Sequence, residues 1–228
     1  MQNFKKKKYK KLIHKYVYDI QNKKLFQNMD LAYKKIKDLW QDQVQLDNPR
    51  FSYITGLLLT RVNLKKKNKI KILDVGCGYG SFVHYLNSLK KLNVIGTDIS
   101  SYAIKKGRQK YKTNKIFVHN FLDKPFVNKK KFDFVLILGT FWFLLKKFNI
   151  FINNLKKNLN KNTEIFFQIN IPKDNNIFKS IISNETQLVK FLKKYFKIKN
   201  ILKISNLSEK NNKLFKDYDF LIIIVTIK

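Results

Sequence analysis

Cysteine is nearly missing from this chain. Cys77 is the only one in 228 residues, so no internal disulfide can close and no cysteine-based zinc site can be assembled. Proline, with three, and glycine, with seven, are also scarce, and no Pro/Gly/Ser-rich linker or internal repeat divides the chain. Arginine is short as well: of the 48 basic residues only Arg50, Arg61 and Arg108 are arginine, the rest being lysine. Arginine reads base edges and clamps phosphate bidentately, so its scarcity weakens a nucleic-acid reading of the net charge of +33. A compositional bias that fills solvated positions with Lys, Asn and Ile accounts for the charge without an acidic partner. Long apolar runs are absent too. The basic start MQNFKKKKYKKLIHKYVYDI leads into no segment long enough for a signal peptide or a membrane span, and the closing FLIIIVTIK is too short to cross a bilayer. A reducing, cytoplasmic setting fits these absences.

What is present is an alternation of short apolar runs and helical patterns. Strands are expected over 69–76, 92–100, 115–121, 132–139 and 163–170. Helices are expected over 81–91, after a cap at Ser100 or Ser101, along the stripe Leu144, Leu145, Phe148, Phe151, Ile152, Leu155 and Leu159, and along Leu188, Val189, Leu192, Tyr195 and Phe196. Two further strands, 200–205 and 219–227, have no helix between them, so they pair antiparallel across the Lys/Asn-rich loop 206–218. The pattern specifies an α/β fold: a Rossmann-like, doubly wound, seven-stranded sheet with an antiparallel C-terminal strand. Residues 1–66 read as an N-terminal helical cap over the ligand edge and 67–228 as the sheet domain. The alternative for 1–66, helices that merely cover sheet hydrophobics, stands beside it.

The stretch ILDVGCGYG, residues 72–80, places glycines at 76, 78 and 80 behind Asp74. A dinucleotide fingerprint spaces its last glycine one position further, where this chain has Ser81, and no lysine followed by Ser or Thr completes a Walker loop. Asp74 would repel a pyrophosphate by roughly several kcal/mol at an effective dielectric near 20. A second acid, Asp98, ends the next strand about 20 residues on, where a carboxylate can accept from a ribose diol. A ribose with a cationic moiety and no phosphate describes S-adenosylmethionine. At these residues the chain resembles the class I S-adenosylmethionine-dependent methyltransferases, over roughly 69–228.

The resemblance implies roles residue by residue. Asp74 holds the methionine ammonium, Gly76, Cys77, Gly78 and Gly80 form the loop against the amino-acid part, and Asp98 takes the ribose with Ile99 on the adenine face. Asn120 stands where the family has an acid for the adenine amino group, with the Phe121 backbone beside it. Leu138 and Gly139 offer backbone to the methionine portion. No metal is implied. Catalytic residues are unassigned. His119, at the end of the third strand, and Trp142, in GTFWFLL, are candidates for a base and a pocket wall. His14 and His84 read as solvated or structural. GTFWFLL with Gln168 resembles a subgroup of small bacterial methyltransferases associated with surface-glycan genes, and Tyr53 and Trp40 are candidates to close over the cofactor. The chain lacks N-P-P-Y or D-P-P-Y after the fourth strand and has no second cysteine for pyrimidine C5 methylation. The expected acceptor is therefore an O or N atom of a small molecule or saccharide. The alternatives are an RNA or protein methyltransferase that tracks phosphates along lysine-rich 5–11 and 64–71, and a non-catalytic cofactor-binding scaffold.

Overall fold

The computed structural model describes residues 11–19, 24–25, 28–36, 39–40, 49–126, 131–172, 182–204 and 218–228. The N-terminal lysine run and the loop 206–218 fall almost wholly outside them. Strands are β1 Tyr18–Asp19, β2 Lys24–Leu25, β3 Ile70–Val75, β4 Leu92–Asp98, β5 Ile116–Val118, β6 Phe132–Leu138, β7 Leu159–Pro172, β8 Phe196–Ile204 and β9 Tyr218–Ile227. Helices are α1 Met29–Lys35, α2 Pro49–Leu64, α3 Ser81–Ser88, α4 Ser101–Tyr111, α5 Phe141–Leu144, α6 Phe148–Lys156 and α7 Glu185–Lys193. The short β1 and β2 pair with each other. The other seven strands form one sheet in the order β5-β4-β3-β6-β7-β9-β8. Neighbours from β5 to β7 run parallel, and β9 pairs antiparallel with both β7 and β8. The expected seven-stranded, doubly wound sheet with an antiparallel C-terminal strand is what forms.

Alternation along the strands splits the core in two. Leu73, Val75, Val135, Ile137, Phe167 and Ile223 face α6 and α7. Ile72, Phe134, Leu136, Phe166 and Ile222 face the other way, against α2 and α3. Helix α2 thus buries Phe51, Ile54, Leu58 and Val62 on a sheet face, sharing its core with Phe82 and Leu86. A third cluster joins Ile13, Val17, Met29, Ala32, Tyr33, Ile36 and Leu39 to Ala103, with Tyr79, Tyr102 and Phe143 packed against it. That part of the N-terminal region lies over the glycine loop and the start of α4.

Three expected boundaries move. Leu159 opens β7, opposite Phe132, where the ladder shifts register; the turn is closed by the Asn158 N–H donating to Leu155 O. Phe196 opens β8, opposite Ile227. Both were read into helices because apolar spacing runs through a tight turn unbroken. The third strand stops at Val118, and by Asn120 the side-chain amide oxygen accepts the Leu122 N–H at 3.0 Å, an Asx turn. The stripe from Leu144 divides into α5, a 3-10 turn at Leu145–Lys147, and α6.

Candidate active site

The chain winds from β3 through β4 to β5 on one side, then crosses to β6 and β7 on the other. The carboxyl ends of β3 and β6 are therefore the switch point, where an open α/β sheet leaves a crevice for ligand. Loop 76–80 leaves β3 there and Gly139-Thr140 leaves β6.

The loop's shape follows from its glycines and its anchors. Gly76, Gly78 and Gly80 all have positive φ, at 80°, 58° and 82°. The Gly76 and Cys77 N–H groups both donate to Thr97 O, at 2.7 and 2.9 Å, which folds the loop across the end of β4. Thr140 Oγ1 donates to Val75 O at 3.1 Å, bridging the two sides of the crevice. A Cβ on Gly76 would meet Thr140 Cγ2 at 2.0 Å, and one on Gly78 would meet the Tyr33 hydroxyl at 3.0 Å. Glycine is required at these two positions for both backbone angle and space.

Asp74 and Asp98 are buried, at 4 % and 7 % exposure. Asp98 Oδ2 accepts from the Gly78 N–H at 2.9 Å and Oδ1 from the Ser100 N–H at 2.8 Å. An ionised carboxylate has about four acceptor positions, so Asp98 keeps capacity for a ligand hydroxyl beside its backbone donors. Burial, reinforced by the neighbouring Asp98 charge, pushes the Asp74 carboxyl up to about 7. Burial pushes Asp98 up to about 6 against the backbone N–H groups of Ser100, Gly78 and Ile99, with Asp30 adding to the rise. Two buried acids that repel one another are costly to ionise alone and favour a cationic partner.

The remaining residues distribute around this pair. Ile99 is 43 % exposed, open to a flat ring. The Asn120 amide donates to Asp123 Oδ2 at 2.9 Å while its oxygen holds the turn, leaving that oxygen one lone pair for an adenine amino group. Phe121 is buried, Leu138 ends β6 and Gly139 follows it, with the Gly139 N–H donating to Gln168 O at 3.0 Å. His119 is buried between Phe121 and Phe126, its Nε2 without a hydrogen-bond partner, and burial holds its pKa low. Trp142 sits in the aromatic core against Phe141, its indole N–H on Asn170 O at 3.2 Å. Tyr53 is exposed on α2, and Trp40 packs in the cluster that contains Tyr33.

Sequence reasoning passed over Tyr33, Thr140 and Asp30. Asp30 ties the cap to the site: Oδ1 accepts from Ser100 Oγ at 2.6 Å and from the Tyr102 N–H at 3.0 Å, and Oδ2 from Ser101 Oγ at 2.8 Å. Ser100 is also the N-cap of α4, accepting the Ala103 N–H. Thr140 was findable, as the residue after the glycine that ends β6; Tyr33 and Asp30 carry no local signal, since their roles exist only once the cap docks.

Residues 73–167 match the family model described as a methyltransferase domain. A search of curated protein sequences finds no match. Among solved structures, the N-methyltransferase NodS from Bradyrhizobium japonicum WM9, in complex with S-adenosyl-L-homocysteine, aligns at TM-score 0.61 and 17 % identity over 88 % of this chain and 100 % of that one. The PH0226 protein from Pyrococcus horikoshii OT3 aligns at TM-score 0.61 and 20 % identity, over 87 % and 99 % of the two chains. Magnesium protoporphyrin IX methyltransferase from Synechocystis PCC 6803, with bound SAM, aligns at 0.56 and 18 %, over 83 % and 82 %. At these identities the likeness establishes the fold.

Proposed function

Residues 73–167 belong to the methyltransferase domain family, and from that premise we propose that the chain is an S-adenosylmethionine-dependent methyltransferase acting on an O or N atom of a small-molecule or saccharide acceptor. The observation that carries this reading is the buried, mutually repelling pair Asp74 and Asp98 beside a loop in which a Cβ on Gly76 would collide with Thr140 and one on Gly78 would crowd Tyr33. Structures of that fold crystallised with SAM or S-adenosyl-L-homocysteine support the cofactor. Asp74 would hold the ammonium, Asp98 the ribose, Ile99 and the 120–121 turn the adenine, and 138–139 the methionine backbone. The cofactor supplies a methyl carbon made electrophilic by an adjacent sulfonium. The protein's share is alignment and exclusion of water, and the cap over loop 76–80, with Tyr33 at Gly78, is suited to the second.

His119 and Trp142 stay candidates with limited reach, since His119 Nε2 is enclosed and the Trp142 N–H is engaged. A small acceptor is favoured over a polyanionic one because none of the two-residue exits of β3, β4, β5 and β6 contains lysine or arginine. The proposal keeps the division into a cap, 1–66, and a cofactor domain, 67–228, in a cytoplasmic setting. No helix among the described residues is long and apolar enough to cross a membrane. The test is transfer of labelled methyl from S-adenosylmethionine to sugar-nucleotide, amine, nucleoside and RNA panels. Turnover on a sugar or amine supports the reading; turnover confined to RNA overturns its acceptor class.

A further inference from the structure

The backbone N–H groups of Gly78, Ser100 and Ile99 all donate to the Asp98 carboxylate. An ionised carboxylate offers about four acceptor positions, so these donors leave about one for a ligand. A further donor from the protein would close it. Ser100 carries such a donor: it is 1 % exposed, and its own N–H already reaches Asp98 Oδ1 at 2.8 Å. A buried hydroxyl proton has to be given to some acceptor.

Asp30, on α1, takes that proton. The Ser100 hydroxyl donates to Asp30 Oδ1 at 2.6 Å while its oxygen accepts the Ala103 N–H at 3.0 Å, which commits the proton to α1 and a lone pair to α4. Two more donors fix the Asp30 carboxylate, the Tyr102 N–H on Oδ1 at 3.0 Å and Ser101 Oγ on Oδ2 at 2.8 Å. Burial works to raise the Asp30 carboxyl, yet Ser100, Tyr102 and Ser101, with Lys34 a turn along α1, hold it below its ordinary value, so it remains an acceptor. The arrangement has a cost, because Asp30 and Asp98 repel one another across Ser100. A neutral side chain could fasten α1 at this point without that cost.

We propose that Asp30 is a positioning residue for the ribose acid: by drawing the Ser100 hydroxyl to itself, it keeps the last acceptor position of Asp98 open for one hydroxyl of a ribose. The inference rests on the methyltransferase reading of Asp98 and adds that the open position depends on α1. Without Asp30, the Ser100 proton turns to the remaining acid, Asp98, and a ribose has to displace it.

The test is calorimetric titration of S-adenosyl-L-homocysteine into the wild type, Asp30→Ala, Ser100→Ala and the double variant Asp30→Ala/Ser100→Ala, with a thermal unfolding midpoint measured for each. Asp30→Ala should weaken binding by about tenfold or more, the cost of breaking one hydrogen bond to a charged group. Adding Ser100→Ala removes the competing hydroxyl together with the α4 cap, so the double variant should bind about fivefold more tightly than Asp30→Ala although its midpoint falls further. Asp30→Asn, whose amide oxygen still accepts from Ser100, should stay within about threefold of the wild type; a loss of about tenfold or more in that variant with its midpoint retained would overturn the proposal even if the alanine variant fails to fold. A residue that only fastens α1 makes affinity follow stability. Binding by the double variant no tighter than by Asp30→Ala, or wild-type affinity in Asp30→Ala, would therefore overturn the proposal and leave the methyltransferase reading standing. Absence of S-adenosyl-L-homocysteine binding in the wild type would overturn both.

Discussion

Asp98 has two roles at residue scale: its oxygens hold the glycine loop through Gly78 and the start of α4 through Ser100, and in the proposed site they would take the ribose. Both it and Asp74 hold their protons more tightly in the folded chain than in the unfolded one, at about 6 and about 7 against 3.8. Between about pH 4 and pH 7 the folded chain therefore carries more protons, and stability contributed by this pair falls as pH rises through that range. A cationic ligand requires the ionised forms, so affinity for S-adenosylmethionine should rise from pH 5.5 to 8, with proton release on binding near pH 6.5. Calorimetry in two buffers of different ionisation enthalpy measures it, and a flat profile would count against the pair. Gly76→Ala should lower stability by about 2 kcal/mol or more, from a strained φ and the 2.0 Å approach to Thr140; urea unfolding reads it, and adding Thr140→Ala should restore only the steric part. The placement of these acids and glycines was legible because its signals are local: a strand end, a turn, a spacing. Tyr33 and Asp30 were not, because each acts on the site from another part of the chain.

At the scale of elements, strand number and direction were readable from apolar runs, and the Ser100 cap from its place before α4. Leu159 and Phe196 were misplaced because periodicity does not mark where a helix hands its last apolar residue to the next strand. The packing of the N-terminal helices was half legible. Their amphipathic pattern was visible, but α2 went to the sheet face, where Phe51, Ile54, Leu58 and Val62 find aromatic neighbours, and α1 went to the ligand edge, where Asp30 finds three donors on α4. Asp30→Ala removes three hydrogen bonds worth about 0.5–1.5 kcal/mol each. It should increase hydrogen exchange in 29–35 and weaken cofactor binding while leaving protection in β3 and β6 unchanged. Uniform loss of protection across the sheet would show that Asp30 supports the whole fold.

At the scale of the whole molecule, the net charge of +33 favoured compositional bias over a phosphate track along 5–11 and 64–71, because a sequence shows how many lysines there are but not where they lie. The two-residue exits of β3, β4, β5 and β6 are free of lysine and arginine, while Lys157 and Lys194 cap the C-termini of α6 and α7 and Lys131 donates to the Lys157 carbonyl, where cations offset the helix dipole. The reading as a whole rests on one ligand at the crevice between β3 and β6. Calorimetric titration of S-adenosyl-L-homocysteine into the wild type and Asp98→Ala at pH 7.5 tests it most directly. One-to-one binding in the wild type, at least 100-fold weaker in the variant, about 2.7 kcal/mol, is the expected result; equal affinity in both, or no binding alongside saturable binding of a nicotinamide dinucleotide, would contradict it.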